Sequence, residues 1–94
     1  MILALYWNPK AYEDRAAIID YIGQDNPAAA LELDELQEER TEALPLHAEL
    51  YRPGRVPGTR ELVIAPNYLL VYRIRQAEGI VEILRVLHAR RQWP

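Results

Sequence analysis

The sequence predicts a two-layer α+β domain, β-α-α-β-β-β, with a helical hairpin packed on a mainly antiparallel four-stranded sheet. Three observations predict it. Asn-Pro recurs in close succession, at Asn8-Pro9 and Asn26-Pro27, marking two helix starts with Gly23 between them. Three apolar runs fill the last third of the chain, joined by links so short that successive strands must form hairpins. No repeat, low-complexity segment or linker divides the 94 residues, so one domain, 1–94, is expected.

The elements follow in order. Ile2–Trp7 is apolar and holds the β-formers Ile2, Tyr6 and Trp7, which predicts a short first strand. Asn8 is placed as an N-cap and Pro9 as the first helical residue, and the helix runs to about Gly23 with Tyr12, Ile18, Ile19 and Ile22 on one face. Asn26-Pro27 opens a second helix to about Ala43, with Ala29, Leu33, Leu36, Ala43 and Leu44 near one stripe and Pro45 as its stop. So tight a connection makes the helices an antiparallel hairpin. Residues 46–58 hold Pro53, Gly54, Pro57 and Gly58 and are read as a loop. Thr59–Ile64, Tyr68–Arg75 and Ile80–His88 then form a three-strand meander. Strict alternation puts Leu70, Tyr72 and Ile74 on one face, opposite Leu69, Val71, Arg73 and Arg75. In the last strand it groups Val81, Ile83, Arg85 and Leu87 against Ile80, Glu82, Leu84, Val86 and His88.

Composition excludes several classes of function. Half the residues are apolar, as in a folded domain rather than a disordered tail. The chain has no cysteine, so disulfides and thiolate metal sites are out, and no serine, so there is no Ser-His-Asp pattern. No cofactor or metal is expected. No apolar run approaches the roughly 20 residues of a membrane span, and the N-terminus does not resemble a signal peptide, so a soluble cytoplasmic protein is expected.

The net charge of −3 hides a split. Residues 1–49 carry three basic side chains against eleven acidic, and residues 50–94 carry eight against three. All eight are arginine: Arg52, Arg55, Arg60, Arg73, Arg75, Arg85, Arg90 and Arg91. A planar guanidinium suits bidentate contact with phosphate or carboxylate, so this half is a candidate face for an anionic partner, against the plainer reading of ordinary surface charge. Arg52, Arg55 and Arg60 bracket the Gly/Pro loop, either as the edge of that face or as solvated loop residues. Arg73 and Arg75 share a sheet face with Leu69 and Val71, either as part of the anion-binding face or, in the plainer reading, as charge on the exposed side of the meander. His88 closes the last strand beside Arg90, Arg91 and Trp93. An imidazole among guanidiniums suits a base acting on an RNA 2′-hydroxyl, or else fastens the strand end to nearby backbone. Tyr68, Tyr72 and Trp93 are candidates for stacking on bases, or half-buried core. The carboxylates Glu32, Asp34, Glu35, Glu38, Glu39 and Glu42 are read as a solvated helix face.

Five strings, in order along nearly the whole chain, carry a family resemblance. They are Trp7-Asn8-Pro9; Asp20-Tyr21-Ile22 with Asn26-Pro27-Ala28-Ala29-Ala30; Gly58-Thr59-Arg60-Glu61-Leu62; Tyr68-Leu69-Leu70-Val71-Tyr72-Arg73; and Ile83-Leu84-Arg85-Val86-Leu87-His88. Together they resemble the RelE/ParE superfamily of bacterial type II toxin–antitoxin toxins. The resemblance implies a cognate antitoxin as partner. It also implies one of two activities: poisoning of DNA gyrase on the ParE side, or cleavage of messenger RNA on the ribosome on the RelE side. In the ribonuclease pattern Arg60 and Arg90 or Arg91 match basic positions, with His88 at the strand end. Leu69 and Ala89 stand where that pattern has basic residues, and the chain is net acidic. The Arg85-Val86-Leu87-His88 string followed by Arg90 is closer to ParE. The expectation is a ParE-like toxin that binds gyrase through Arg52, Arg55, Arg60, Arg73, Arg85, Arg90, Arg91 and Trp93. The alternative is an endoribonuclease using His88, Arg60 and Arg90.

Overall fold

The computed structural model describes residues 3–90. In chain order it contains β1 (Ala4–Trp7), α1 (Pro9–Asp25), α2 (Pro27–His47), β2 (Arg52–Pro53), β3 (Arg60–Ala65), β4 (Tyr68–Arg75) and β5 (Ile80–His88). The strands form one sheet in the order β1-β5-β4-β3-β2. β1 lies parallel to β5, a pairing that requires a long crossover, and the helical hairpin supplies it. The other pairs are antiparallel.

The two-layer α+β class stands, with five strands in place of four. The extra strand, β2, lies in the expected loop and pairs Arg52 with Glu61 and Pro53 with Arg60. Pro53 is tolerated because it sits on an edge. The loop after it is closed by Gly54, whose N–H donates to the Thr59 carbonyl at 2.8 Å. A Cβ at Gly54 would lie 2.2 Å from the Thr59 hydroxyl oxygen, so that close approach is internal to the loop.

Two helix ends differ from expectation. Gly23 does not stop α1, because the stop is Asn26: its N–H returns to the Ile22 carbonyl at 2.9 Å. The Asn26 side chain also accepts from the Ala29 N–H at 3.1 Å, so one residue closes α1 and opens α2. Pro45 does not close α2 either. It lies in the final turns, where one missing N–H costs a single bond, and the helix continues to His47.

α2 buries Ala30, Leu33, Gln37, Thr41 and Leu44. A stripe sought only among apolar residues misses Gln37 and Thr41. The main core joins Leu33 and Leu44 to Leu62, Ile64, Leu70, Tyr72, Val81, Ile83 and Val86, with Leu5, Trp7, Ile18 and Ile22 packed around them. A smaller cluster of Leu69, Val71 and Leu87 occupies the opposite, open face of the sheet. A β-bulge decides this division. Val71 pairs with Arg85 but Tyr72 pairs with Ile83, leaving Leu84 as the extra residue. Past it the alternation inverts, so Val86 enters the main core and Leu87 leaves it. No described helix is long and apolar enough to cross a membrane.

Candidate functional site

The open face of the sheet is built around two nearly buried carboxylates. Glu61 on β3 is 5% exposed and Glu82 on β5 is 4% exposed. Cross-strand register puts Arg52 opposite Glu61, and Arg73 opposite Glu82. The contacts follow. Arg52 Nη2 lies 3.1 Å from Glu61 Oε1, and Arg55 contributes its Nε at 3.8 Å. The Arg55 backbone N–H also donates to Glu61 Oε2 at 3.2 Å. At the second centre Arg73 Nε lies 2.8 Å and Arg75 Nη1 3.5 Å from Glu82 Oε1. Asn8 donates its side-chain N–H to Glu82 Oε2 at 3.2 Å, and Arg75 also reaches Glu78 at 2.9 Å. Burial alone would raise the Glu82 pKa, but Asn8, Arg73 and Arg75 outweigh it and hold the carboxyl below its usual range. The two centres are two strands and two residues apart, roughly 12 Å.

The other arginines do not join them. Arg85 turns to the helix side, where Nε lies 2.6 Å from Asp14 Oδ2 and Nη2 donates to Oδ1 at 3.1 Å. Asp14 raises the Arg85 pKa further. Arg60 is on β3 opposite Tyr72, and its Nη1 donates to the backbone carbonyls of Glu49 at 3.2 Å and Tyr51 at 2.9 Å. Beside it the Tyr72 hydroxyl, fully buried, donates to the Ala48 carbonyl. Arg60 and Tyr72 thus fasten the segment that leaves α2.

His88 stands edge-on to Tyr68, with ring centroids 5.4 Å apart, and its Nδ1 accepts from the Arg90 backbone N–H at 3.2 Å. His88 pairs with Tyr68 while Arg60 pairs with Tyr72. That is about 13 Å along β4 and about 10 Å across it, roughly 16 Å in all. The trio of His88, Arg60 and Arg90 is therefore divided between two ends of the sheet. Arg91 and Trp93 lie outside the described residues. Of the arginines singled out in the sequence, the structure groups Arg52 with Arg55 and Arg73 with Arg75. It separates Arg60 and Arg85 from both groups. Among the described residues no cluster of three or more His, Cys, Asp or Glu is placed to hold a metal ion.

Sequence reasoning missed the acids that organise these arginines: Glu61, Glu82 and Asp14. One signal was available, since Glu61 and Glu82 are the lone carboxylates of largely apolar strands. It also missed Arg15, which joins the helices by binding Asp34 at 2.9 Å and Glu38 at 2.8 Å while lying 5.0 Å over the Trp7 ring.

Comparison with known proteins agrees with this architecture. Residues 5–93 match the family model described as the ParE toxin of the type II toxin-antitoxin system parDE. The chain is 39% identical over 89 residues to Y4kP of Sinorhizobium fredii, described as a toxin, covering 94% of this chain and 90% of that one. It is 38% identical over 87 residues to the toxin RelE2 of Caulobacter vibrioides, covering 90% and 93%. Among solved structures, a chain of the chromosomal ParDE system from P. aeruginosa superposes with a TM-score of 0.82 at 27% identity, over 93% of this chain and 96% of that one. The isolated E. coli RelE toxin superposes with a TM-score of 0.60 at 17% identity, over 96% and 87%, a likeness of fold alone.

Proposed function

Because the chain belongs to the ParE toxin family of type II toxin–antitoxin systems, we propose that it arrests growth by binding a protein target, DNA gyrase, rather than by cleaving RNA. It acts in the cytoplasm and is neutralised there by a cognate antitoxin. One observation carries the choice of binding over turnover. General base catalysis needs the base and the phosphate-holding cations around one reacting group. Here His88 and Arg60 are roughly 16 Å apart by strand geometry, and the Arg60 guanidinium is engaged by two backbone carbonyls. Arg52, Arg55, Arg73 and Arg75 suit a protein surface instead, because Glu61 and Glu82 pre-orient them and leave little net positive charge for a polyphosphate chain.

A second reading keeps the RelE-like activity, cleavage of messenger RNA on the ribosome, and the RelE name of the Caulobacter relative favours it. One comparison separates them. Purified protein is added to a gyrase supercoiling reaction and, in parallel, to translating ribosomes. Inhibited supercoiling with intact transcripts, unchanged in His88→Ala, is the expected result. Transcript cleavage that disappears in His88→Ala would reverse the assignment. Growth arrest on expression, relieved by the adjacent antitoxin gene, tests the toxin reading itself.

A further inference from the structure

Both helices open with the same device, and at one of them the device does a second job. Asn8 and Asn26 each precede a proline. Each side chain accepts a hydrogen bond from the first turn, from the Lys10 N–H at 2.9 Å and the Ala29 N–H at 3.1 Å. Capping alone does not demand asparagine, since aspartate and serine serve about as well. Asn8 differs at its other end, where Nδ2 donates to Glu82 Oε2 at 3.2 Å. The Asn26 amide donates to no described side chain. The backbone of Asn8 is fixed too: its N–H donates to the Ile83 carbonyl at 2.9 Å, and its carbonyl accepts from the Ala11 N–H at 2.9 Å. The amide cannot turn over, because exchanging Oδ1 and Nδ2 would set an N–H against the Lys10 N–H and an oxygen against a carboxylate.

Glu82 carries that constraint across the sheet. With Oε2 held by Asn8, Oε1 is left for Arg73 Nε at 2.8 Å and Arg75 Nη1 at 3.5 Å. The guanidinium of Arg75 is engaged on both sides, since its Nη2 reaches Glu78 at 2.9 Å. Arg73 is not. Glu82 takes only its Nε, neither Nη group bonds a described residue, and the side chain is 46% exposed. A guanidinium anchored through Nε still offers its Nη1–Nη2 edge, which matches the two oxygens of a carboxylate. Tyr6, opposite Glu82 in the register and half exposed, flanks the row on the β1 side.

We propose that Asn8 is a positioning residue, acting through Glu82 to hold Arg73 with its outer edge presented to an aspartate or glutamate side chain of a bound protein. The assignment rests on the reading that these arginines face a protein. Glu78 and Glu82 balance the charge of Arg73 and Arg75, so the site exerts little long-range pull on a polyanion. It selects instead by fit to a planar, two-oxygen group. Among good caps, asparagine has an acceptor and a separate donor on one rigid group; aspartate in its place would set a second carboxylate against Glu82.

The test follows the Arg73 Nε–H of the full chain by NMR. The probe is an acetylated, amidated peptide carrying one glutamate, with a glutamine twin as control. In the wild type the Arg73 signal should exchange slowly with water and shift saturably with the glutamate peptide alone. Asn8→Ser keeps an acceptor for the cap on a side chain too short to reach Glu82. It should speed the exchange and weaken the peptide by about fivefold or more. Asn26→Ser, the same change at the other helix, should match the wild type in both. Added to Arg73→Lys, Asn8→Ser should weaken the peptide no further, since lysine has no planar edge to orient. If Asn8→Ser lowers the melting temperature more than Asn26→Ser does, Asn8→Asp replaces it: the cap stays, Glu82 is repelled, and the same losses are expected. Exchange and affinity unchanged in the Asn8 variants would overturn the proposal. Equal losses in Asn26→Ser, or an Arg73 signal indifferent to the glutamate peptide, would do the same. A chain that takes the peptide as expected but leaves gyrase supercoiling untouched would end the gyrase reading and leave this one standing.

Discussion

Arg85 and Asp14 meet across the interface between β5 and α1 as a two-toothed ion pair, Nε to Oδ2 at 2.6 Å and Nη2 to Oδ1 at 3.1 Å. The Val86 N–H donates to the same Asp14 oxygen at 3.1 Å. Arg85 keeps the helix-facing side that alternation gives it with Val81 and Ile83, and the bulge turns the next residue, Val86, to that same side. Both side chains are mostly buried, 18% and 8% exposed, so removing one strands the other in a poor solvent for charge.

Asp14→Ala is therefore expected to destabilise the fold by about 3 kcal/mol, and Arg85→Ala by a similar amount. Replacing both by leucine should recover a large part of either loss. Chemical denaturation of the four proteins checks this, and a double mutant as weak as the sum of the singles would contradict it.

Gln37 is the opposite case. Its side chain is 1% exposed, and neither Oε1 nor Nε2 meets a hydrogen-bond partner among the described residues. A buried carboxamide without partners costs stability, so Gln37→Leu is expected to raise stability by about 1–2 kcal/mol. A higher midpoint with an unchanged denaturant slope is the measurement. A lower midpoint would show that the amide is satisfied in solution.

Tyr72 links stability to alkaline pH. Burial pushes its phenol from the ordinary value of 10.0 up to about 12, the nearby Arg60 charge opposing. The unfolded chain then loses this proton near pH 10 while the folded chain keeps it. Stability is thus fully present below about pH 10 and falls as pH rises toward 12, by roughly 2 kcal/mol. Tyr72→Phe should flatten that decline. It should also cost about 1–2 kcal/mol at neutral pH, because the Ala48 carbonyl loses its donor.

Glu82 gives the acid-side counterpart. Its pKa is held down by Asn8, Arg73 and Arg75 against the effect of burial. A depressed carboxyl stabilises above its unfolded pKa, and that contribution disappears as pH falls through the folded one. Glu82→Gln is expected to lose about 2 kcal/mol at neutral pH and to show a shallower acid unfolding curve. An unchanged curve would mean that Glu82 does not titrate with folding.

Much of the fold was legible because its signals are local. The two Asn-Pro pairs are helix starts whatever else the chain does, since the cap and the proline act within one turn. Tyr68–Arg75 and Ile80–His88 match β4 and β5 because apolar runs bounded by tight turns leave a chain little alternative. Gly23 and Pro45 misled for a local reason too: each is a weak helix residue, and Asn26 and Ala48 supply the caps instead.

The candidate site was legible only in part. An arginine-rich half is visible in composition, but the partners of its members lie far along the chain: Glu61 and Glu82 on neighbouring strands, Asp14 on the first helix. Residue types and spacings carry no record of such pairings. His88 and Arg60 are close enough in the sequence pattern to suggest one site, yet β4 holds them at different ends.

By itself the sequence determined the order of elements, the helical hairpin and the charge imbalance between halves, because propensity, capping and side-chain charge belong to residues and their near neighbours. Tertiary structure alone decided the parallel β1–β5 pairing, the Leu84 bulge that brings Val86 to the helix side beside Arg85, and the carboxylate waiting for each arginine pair. Those outcomes depend on which strands lie side by side and in what register, a choice made by burying the whole core at once.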